Sequence, residues 1–185
     1  MTFFISGGAK NGKSSLAQRL ALALPGKHYY VATMISTGAE DDERIRRHIE
    51  DRAGLGFETV ECFRSISDCL QKADPQGVFL VDSVTALIQN SLFPPENNYE
   101  MDLPAAHSCI RELEDFARQA RHAVFVSDYI YSDLQSFSES TLCYRQCLAE
   151  ADRRLAAVCG TVIEMCAGQA LVYRAEDPVP EGVLP

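Results

Sequence analysis

The stretch that decides the fold opens the chain, where Thr2-Phe3-Phe4-Ile5-Ser6 continues directly into Gly7-Gly8-Ala9-Lys10-Asn11-Gly12-Lys13-Ser14. The second part matches G-x-x-x-x-G-K-[ST], the pattern of a phosphate-binding loop. The apolar run before it predicts a buried strand. Apolar residues at helical spacing predict a helix over residues 13–24, which Pro25-Gly26 ends. The motif therefore lies between a strand and a helix, the context that it requires.

The chemistry of this loop depends on glycine and on one lysine. Backbone N–H groups wrap a polyphosphate, and glycines stand where a Cβ atom would block the approach. Lys13 would reach the β and γ phosphates, and the Ser14 hydroxyl would ligate Mg²⁺. The helix that begins here points its positive end at the anion. The alternative is a glycine turn with a surface lysine.

The rest of the chain alternates strands with helices. Strands are predicted over 28–33, 57–61, 77–81 and 123–127, with helices over 41–51, 67–72, 83–93, 103–119 and 138–158. Residues 161–165 and 170–173 are expected to form a terminal hairpin. The central strands are apolar throughout, which indicates an α/β fold with a mostly parallel sheet and helices on both faces. We expect one P-loop nucleotide-binding domain over residues 1–175 and a loose C-terminal tail over 176–185.

Composition excludes several classes of protein. Of 185 residues, 46% are hydrophobic and 23% charged, which is ordinary globular usage. The formal net charge of −9 disfavours tight nucleic-acid binding. No apolar run approaches the ~20 residues of a membrane helix, and the N-terminus lacks the features of a signal peptide. The expected location is the cytoplasm, where the seven cysteines would be free thiols. Without a CxxC pair, core positions are favoured over a zinc site.

Two aspartates follow buried strands and are candidates for the second half of a nucleotide site. Asp82 follows the run Val78-Phe79-Leu80-Val81. It would hold Mg²⁺, directly or through water, or accept a proton from a substrate hydroxyl. The alternative is a carboxylate that caps the next helix. Asp128 ends a later strand and is the weaker candidate, with an ordinary loop aspartate as the alternative.

Residues 40–52 form a highly charged segment that contains four arginines around His48. The simplest interpretation is a solvated helix with ion pairs between positions i and i+4, such as Glu43 with Arg47. The alternative is that Arg44, Arg47 and Arg52 bind phosphates while His48 acts on phosphorus as a nucleophile.

These motifs, in this order, resemble the bifunctional adenosylcobinamide kinase / adenosylcobinamide-phosphate guanylyltransferases. The similarity covers about the first half of the chain. After the glycine loop, it rests on Tyr30-Val31-Ala32-Thr33, on Glu40 with Arg44-Ile45-x-x-His48 and Arg52, on Thr59-Val60-Glu61, on Leu80-Val81-Asp82-Ser83-Val84-Thr85, and on Asn90-Ser91-Leu92-Phe93.

The resemblance implies a RecA-like P-loop fold, a homotrimer and two activities. The enzyme would phosphorylate the hydroxyl of the aminopropanol arm of adenosylcobinamide with ATP or GTP. It would then transfer GMP from GTP to that phosphate through a guanylylated histidine, a role that falls to His48. Lys13 and Asp82 would share in catalysis. Gly8 to Ser15 would hold phosphates, and Thr33, Arg52, Glu61 and Asp82 would contact nucleotide.

The later part of the chain departs from the family pattern. Asp128-Tyr129-Ile130-Tyr131, followed by Ser132-Asp133-Leu134, stands where the family commonly has Asn-Glu-Val-Gly and a glycine-containing loop. Three hypotheses therefore remain open. The chain keeps both activities on a corrinoid, keeps only a kinase activity on this or another hydroxylated metabolite, or binds nucleotide as a regulator without turnover.

Overall fold

The computed structural model describes residues 1–131 and 136–185. Within them the strands are β1 (Thr2–Gly7), β2 (His28–Ala32), β3 (Glu58–Glu61), β4 (Val78–Asp82), β5 (His122–Asp128), β6 (Thr161–Cys166) and β7 (Gln169–Ala175). The α-helices are α1 (Lys13–Leu22), α2 (Ala39–Asp51), α3 (Cys69–Lys72), α4 (Val84–Leu92), α5 (Leu103–Gln119) and α6 (Glu139–Val158). Short 3₁₀ turns cover Ile66–Asp68 and Pro95–Asn97. Ser132-Asp133-Leu134, part of the departure from the family pattern, lies outside the described residues.

The seven strands form one sheet in the order β3-β2-β4-β5-β1-β6-β7. Every neighbouring pair is parallel except β6 and β7, which form the expected hairpin. The predicted mostly parallel sheet is therefore confirmed. Strand β5 separates β1 from β4, and Gly7 is in register with Asp128. Because the carboxyl ends of parallel strands share one edge, the glycine loop, Asp82 and Asp128 open on the same side.

Helices cover both faces of the sheet, as the apolar central strands predict. On one face, α1 places Leu16 and Leu20 against Ile5 and Val124. On the other face, α4, α5 and α6 pack on strand residues that include Phe79. Each fully buried leucine or phenylalanine contributes about 1.5–3 kcal/mol relative to exposure. This two-sided core fixes the strand ends from which the loops of the site emerge.

Residues 176–185 contain no regular secondary structure, but they are not loose as expected. Val183 is buried against the α1 side of the sheet. Arg19 Nε donates a hydrogen bond to the Val183 carbonyl oxygen at 3.0 Å. Within the residues that the structure covers, no helix is both long enough and apolar enough to cross a membrane.

Candidate active site

The glycine loop is held close to strand β6 by residues that tolerate no side chain. A Cβ atom on Gly7 would lie 2.4 Å from the Met165 carbonyl oxygen. Gly12 caps the N-terminus of α1 with a left-handed backbone, φ 85°. A residue with a side chain is strained in that conformation. These two glycines explain locally why the loop turns from β1 into the helix.

Lys13 is buried under the loop and already paired. Its ammonium donates to the Gly8 carbonyl oxygen at 2.7 Å and lies 2.9 Å from Asp128 Oδ1. Only 6% of the lysine side chain is exposed. Arg44 Nη2 lies 3.9 Å from the other oxygen of Asp128. Asp128, the weaker candidate from sequence, thus lies inside the site, and only the pairing of β1 with β5 brings it there.

His48, Tyr30 and Asp82 form a hydrogen-bonded chain that joins three elements. The Tyr30 hydroxyl lies 3.1 Å from His48 Nδ1 and donates to Asp82 Oδ2, also at 3.1 Å. His48 Nδ1 itself is 3.6 Å from Asp82 Oδ2. The Asp82 side chain is 6% exposed and the His48 side chain 27%.

This chain fixes which nitrogen of His48 carries the proton. A tyrosine hydroxyl has one hydrogen, and here it goes to Asp82, an ionised carboxylate that can only accept. Tyr30 therefore accepts from Nδ1–H of His48. Nε2 then holds the free lone pair, and it makes no hydrogen bond to residues 1–131 or 136–185. An imidazole held in this tautomer has one ring nitrogen free to accept a bond.

The charge state of Asp82 is set by competing effects. Burial alone would raise the pKa of Asp82, but the nearby His48 ring, together with hydrogen bonds from Ser14 and Tyr30, outweighs it. The net pKa of Asp82 is lowered, so the carboxylate is ionised near neutral pH. Burial, followed by the charge of Asp82, raises the pKa of Tyr30, which stays protonated.

The donor set beside the loop fits Mg²⁺. This ion prefers oxygen ligands and is commonly bound by one or two carboxylates together with substrate phosphates. The ionised Asp82 and the Ser14 hydroxyl next to it supply such oxygens. Among the residues that the structure covers, no group of three or more His, Cys, Asp or Glu side chains is arranged to hold a metal by itself. Ser14 and Asp82 would therefore share the ion with a bound nucleotide.

Two cavities meet at His48. The phosphate cavity, of about 660 Å³, is lined by residues 9–15 of the glycine loop, with Arg47 and Asp128. The second cavity, of about 500 Å³, is lined by residues of β2, α2 and β3, together with Ile35 and Phe63 from the segments that follow β2 and β3. The residues that line both cavities are Arg44, His48, Asp82 and Ser83. A ligand that spans the two cavities therefore passes the imidazole.

The candidates implied by the resemblance line the second cavity, where they make different contacts. The Arg52 guanidinium lies over the Tyr30 ring at 4.1 Å and donates to Thr59. Glu61 is exposed. The hydroxyl of Thr33 is fully buried, donating to the Ser83 carbonyl oxygen and accepting from the Ser83 amide. Thr33 thus positions the segment that follows β4.

Helix α2 forms the solvated, ion-paired helix of the first interpretation and also lines the phosphate cavity. It buries no residue and carries ion pairs of Glu43 with Arg46 and Arg47. Arg44, Arg47 and His48 line the phosphate cavity. Sequence reasoning missed the role of Tyr30, because strand alternation gives its face of the sheet but not its partner on another element.

Comparison with known proteins identifies the family. The sequence profile described as "Cobinamide kinase / cobinamide phosphate guanyltransferase" matches residues 3–173. The chain belongs to this family. The bifunctional adenosylcobalamin biosynthesis protein CobU of Salmonella typhimurium strain LT2 is 34% identical over 95 residues. That alignment covers 50% of this chain and 51% of the relative, so it spans about half the length of each.

Solved structures support the fold of this cobinamide kinase / guanyltransferase family member. A Pyrococcus horikoshii OT3 protein, PH0250, superimposes with a TM-score of 0.55 at 9% identity, over 96% of this chain and 87% of its own. An ATPase from the type III secretion system of pathogenic bacteria gives a TM-score of 0.53 at 12% identity, over 88% and 50%. At such identities the likeness shows the fold alone. The predicted P-loop NTPase fold is confirmed.

Proposed function

We propose that this protein phosphorylates adenosylcobinamide with ATP or GTP and then transfers GMP from GTP to the new phosphate through a guanylylated His48. One observation carries the proposal. His48 stands where the phosphate cavity and the second cavity meet, with Nδ1 tied through Tyr30 to Asp82 and with Nε2 free.

A nucleoside triphosphate laid across the two cavities brings its α-phosphorus to the imidazole. The polyphosphate lies on the glycine loop, where Lys13 and the N-terminus of α1 neutralise it. The base enters the second cavity, which combines apolar side chains with the Glu61 carboxylate. A carboxylate accepts from N–H donors such as those of guanine, and this favours GTP for the guanylyl step.

The guanylyl transfer needs no further residue to donate or accept a proton. Nε2 of His48 forms a bond to the α-phosphorus, the bond from that phosphorus to the bridging oxygen breaks, and pyrophosphate leaves. The ring becomes cationic while Nδ1–H stays bonded to Tyr30, so the Asp82 carboxylate stabilises the charge. A phosphate oxygen of the acceptor next attacks the phosphorus, and the P–N electron pair returns to Nε2.

In the kinase step the oxygen of the acceptor hydroxyl bonds to the γ-phosphorus, the bond from that phosphorus to the bridging oxygen breaks, and the nucleoside diphosphate leaves. The hydroxyl proton passes to Asp82 or to water. Lys13 holds the β and γ phosphates in line. Ser14 and Asp82 would hold Mg²⁺, which when bound neutralises charge on the phosphates. Cytoplasmic location and a homotrimer, both expected above, stay predictions.

A kinase-only enzyme is the second candidate. It is favoured by the altered segment Asp128-Tyr129-Ile130-Tyr131, which begins at the last residue of β5, at the edge of the site. A corrinoid could be replaced there by another hydroxylated acceptor while the phosphate loop is kept.

Labelling with α-³²P-GTP tests the proposal. We expect acid-labile, alkali-stable label on the protein, absent in His48→Ala and retained in the matched control His107→Ala, whose ring is exposed on α5. Lys13→Ala should abolish label and phosphoryl transfer alike. Absence of label in the intact protein, together with transfer from γ-³²P-ATP to adenosylcobinamide, would contradict the guanylyl step and leave the kinase. Absence of both would favour the regulator.

A further inference from the structure

A third cavity, of about 280 Å³, shares no lining residue with the phosphate cavity. It is lined by residues of β1, α6, β6 and β7, together with Tyr129 and Tyr131 from the segment after β5. We call it the tyrosine cleft. Tyr129 and Tyr173 are its exposed aromatic residues, 42% and 66% exposed. The rings of Tyr129 and Tyr131 lie 4.6 Å apart.

The floor of the tyrosine cleft holds a carboxyl group with spare accepting capacity. Asp152 is only 4% exposed, although an aspartate is rarely buried without full pairing. Its Oδ2 accepts from the Tyr131 hydroxyl at 3.0 Å, whereas its Oδ1 is buried without a hydrogen-bond partner. Such an atom costs about 1–3 kcal/mol unless a water or ligand donor satisfies it.

Two serine hydroxyls extend this group of unsatisfied oxygens. Ser6 Oγ and Ser127 Oγ are also buried without partners. Ser127 is near enough to lower the pKa of Asp152, but no hydrogen bond of normal geometry joins them. The floor therefore combines the Asp152 carboxyl group with serine hydroxyls, which can donate as well as accept, and it lies beneath aromatic walls. A group with several N–H donors on an apolar or flat body matches that chemistry.

The cleft adjoins the phosphate cavity. Ser6 directly precedes Gly7, where the glycine loop begins, and the Tyr129 amide donates to the Gly7 carbonyl oxygen at 2.9 Å. Asp128, which lies between Ser127 and Tyr129 in the chain, lines the phosphate cavity. Asp128 and Tyr129, neighbours in the chain, thus line the two cavities. Tyr129 and Tyr131 also belong to the segment in which the chain departs from the family pattern.

We propose that the tyrosine cleft binds the acceptor substrate and takes an N–H-bearing group of it, a primary amide or an alkylammonium, on Asp152. This inference rests on the proposed function for the identity of the acceptor, but the cleft can be tested without it. It also gives the altered segment a role: Tyr129 and Tyr131 select the acceptor rather than the nucleotide.

The direct test titrates n-propylammonium chloride and, separately, propionamide into the ¹⁵N-labelled chain at pH 8, above the raised pKa of Asp152. We expect saturable shifts of the Ser6, Ser127 and Tyr131 amides by at least one probe, with a dissociation constant on the order of 1 mM for so small a ligand. Asp152→Leu should abolish them and the near-isosteric Asp152→Asn should weaken them. Asp115→Asn, on the exposed face of α5, should change nothing. Shifts with the ammonium alone would indicate that the cleft takes a charged group of the acceptor, and shifts with the amide alone would indicate a neutral group.

Two outcomes overturn the proposal. One is the absence of saturable shifts with both probes, as expected if only a water satisfies Asp152. The other is unchanged shifts in a folded Asp152→Leu variant. ATP-induced shifts over Gly8 to Ser15, recorded on the same sample, report separately on the nucleotide site. ATP-induced shifts without probe-induced shifts would contradict only the proposal for the tyrosine cleft. Probe-induced shifts without ATP-induced shifts would contradict only the proposed function.

A kinetic test links the cleft to turnover. In the kinase assay with adenosylcobinamide, Asp152→Asn and Tyr131→Phe should raise the acceptor KM about 10-fold, the effect of one lost hydrogen bond. The rate of His48 labelling by GTP should stay within about 2-fold of wild type. A lower labelling rate with unchanged acceptor KM would contradict acceptor binding in the cleft.

Discussion

Lys13 Nζ lies 2.9 Å from Asp128 Oδ1, so the cation expected to bind phosphate is paired with a carboxylate inside the phosphate cavity. A nucleotide must therefore compete with Asp128 for Lys13 and approach a second negative charge. Asp128→Asn should remove both penalties. We expect the dissociation constant for ATP and GTP to fall about 5- to 10-fold, corresponding to roughly 1–1.4 kcal/mol. Equilibrium binding of a fluorescent nucleotide measures it.

Asp115→Asn is the control for this measurement because it makes the same change on the exposed face of α5. It should leave nucleotide affinity unchanged. Equal or weaker binding by a folded Asp128→Asn variant would show that Asp128 holds Lys13 in its binding position.

Tyr30 is the link between His48 and Asp82, and Tyr30→Phe removes only its hydroxyl. The imidazole then loses the acceptor that keeps the proton on Nδ1, and Asp82 loses a donor. We expect the initial rate of His48 labelling by α-³²P-GTP to fall about 10-fold, equivalent to about 1.4 kcal/mol. Phosphoryl transfer to the acceptor should change little, because it does not use the imidazole.

The control for the tyrosine variant is Tyr99→Phe, since Tyr99 is 56% exposed and lines neither of the cavities that meet at His48. An unchanged labelling rate in Tyr30→Phe would contradict the inference that the Tyr30 hydroxyl assists the reaction by keeping the proton on Nδ1 of His48.

Asp152 should make stability depend on pH. Burial raises the pKa of Asp152 to about 7 from an ordinary 3.8, with a smaller contribution from the charge of Asp128, although hydrogen bonding from Ser127 and Tyr131 opposes the rise. Tyr144 also senses the Asp152 charge. Between pH 4 and 7 the unfolded chain releases the proton while the folded chain keeps it. This contribution to stability is therefore complete below pH 4 and lost as the pH rises through 7.

Asp152→Asn should abolish that loss. Urea unfolding should find the variant more stable than wild type by up to about 4 kcal/mol at pH 8, the equivalent of the raised pKa. The advantage should shrink steadily towards pH 4. An advantage that does not vary with pH would contradict a titrating Asp152.

Gly7→Ala tests the close contact between the glycine loop and β6. The new Cβ atom would meet the Met165 carbonyl oxygen at 2.4 Å, on a backbone with φ 155°. We expect a loss of more than about 2 kcal/mol in the free energy of unfolding. Gly38→Ala is the matched control, because nothing lies within 4 Å of its added Cβ and its backbone is extended. Similar stability of the two variants in urea would contradict the contact.

The amino-acid sequence by itself determined the elements and the phosphate loop of this protein. Periodicity, glycine positions and apolar runs act between neighbours in the chain, so β1, the loop and α1 could be predicted together. The position of Asp82 after a buried strand and the terminal hairpin followed in the same way. The resemblance to a family added His48, for which local pattern alone favoured a solvated helix.

Only the tertiary structure decided which side chains meet. Tyr30 contacts His48 and Asp82, and Asp128 pairs with Lys13, across separations of 18 to 115 residues. Those contacts depend on the order of the strands, with β5 inserted between β1 and β4, and on the direction in which α2 crosses the strand ends. Strand order is set by the packing of the whole core. No periodicity within a single segment encodes it.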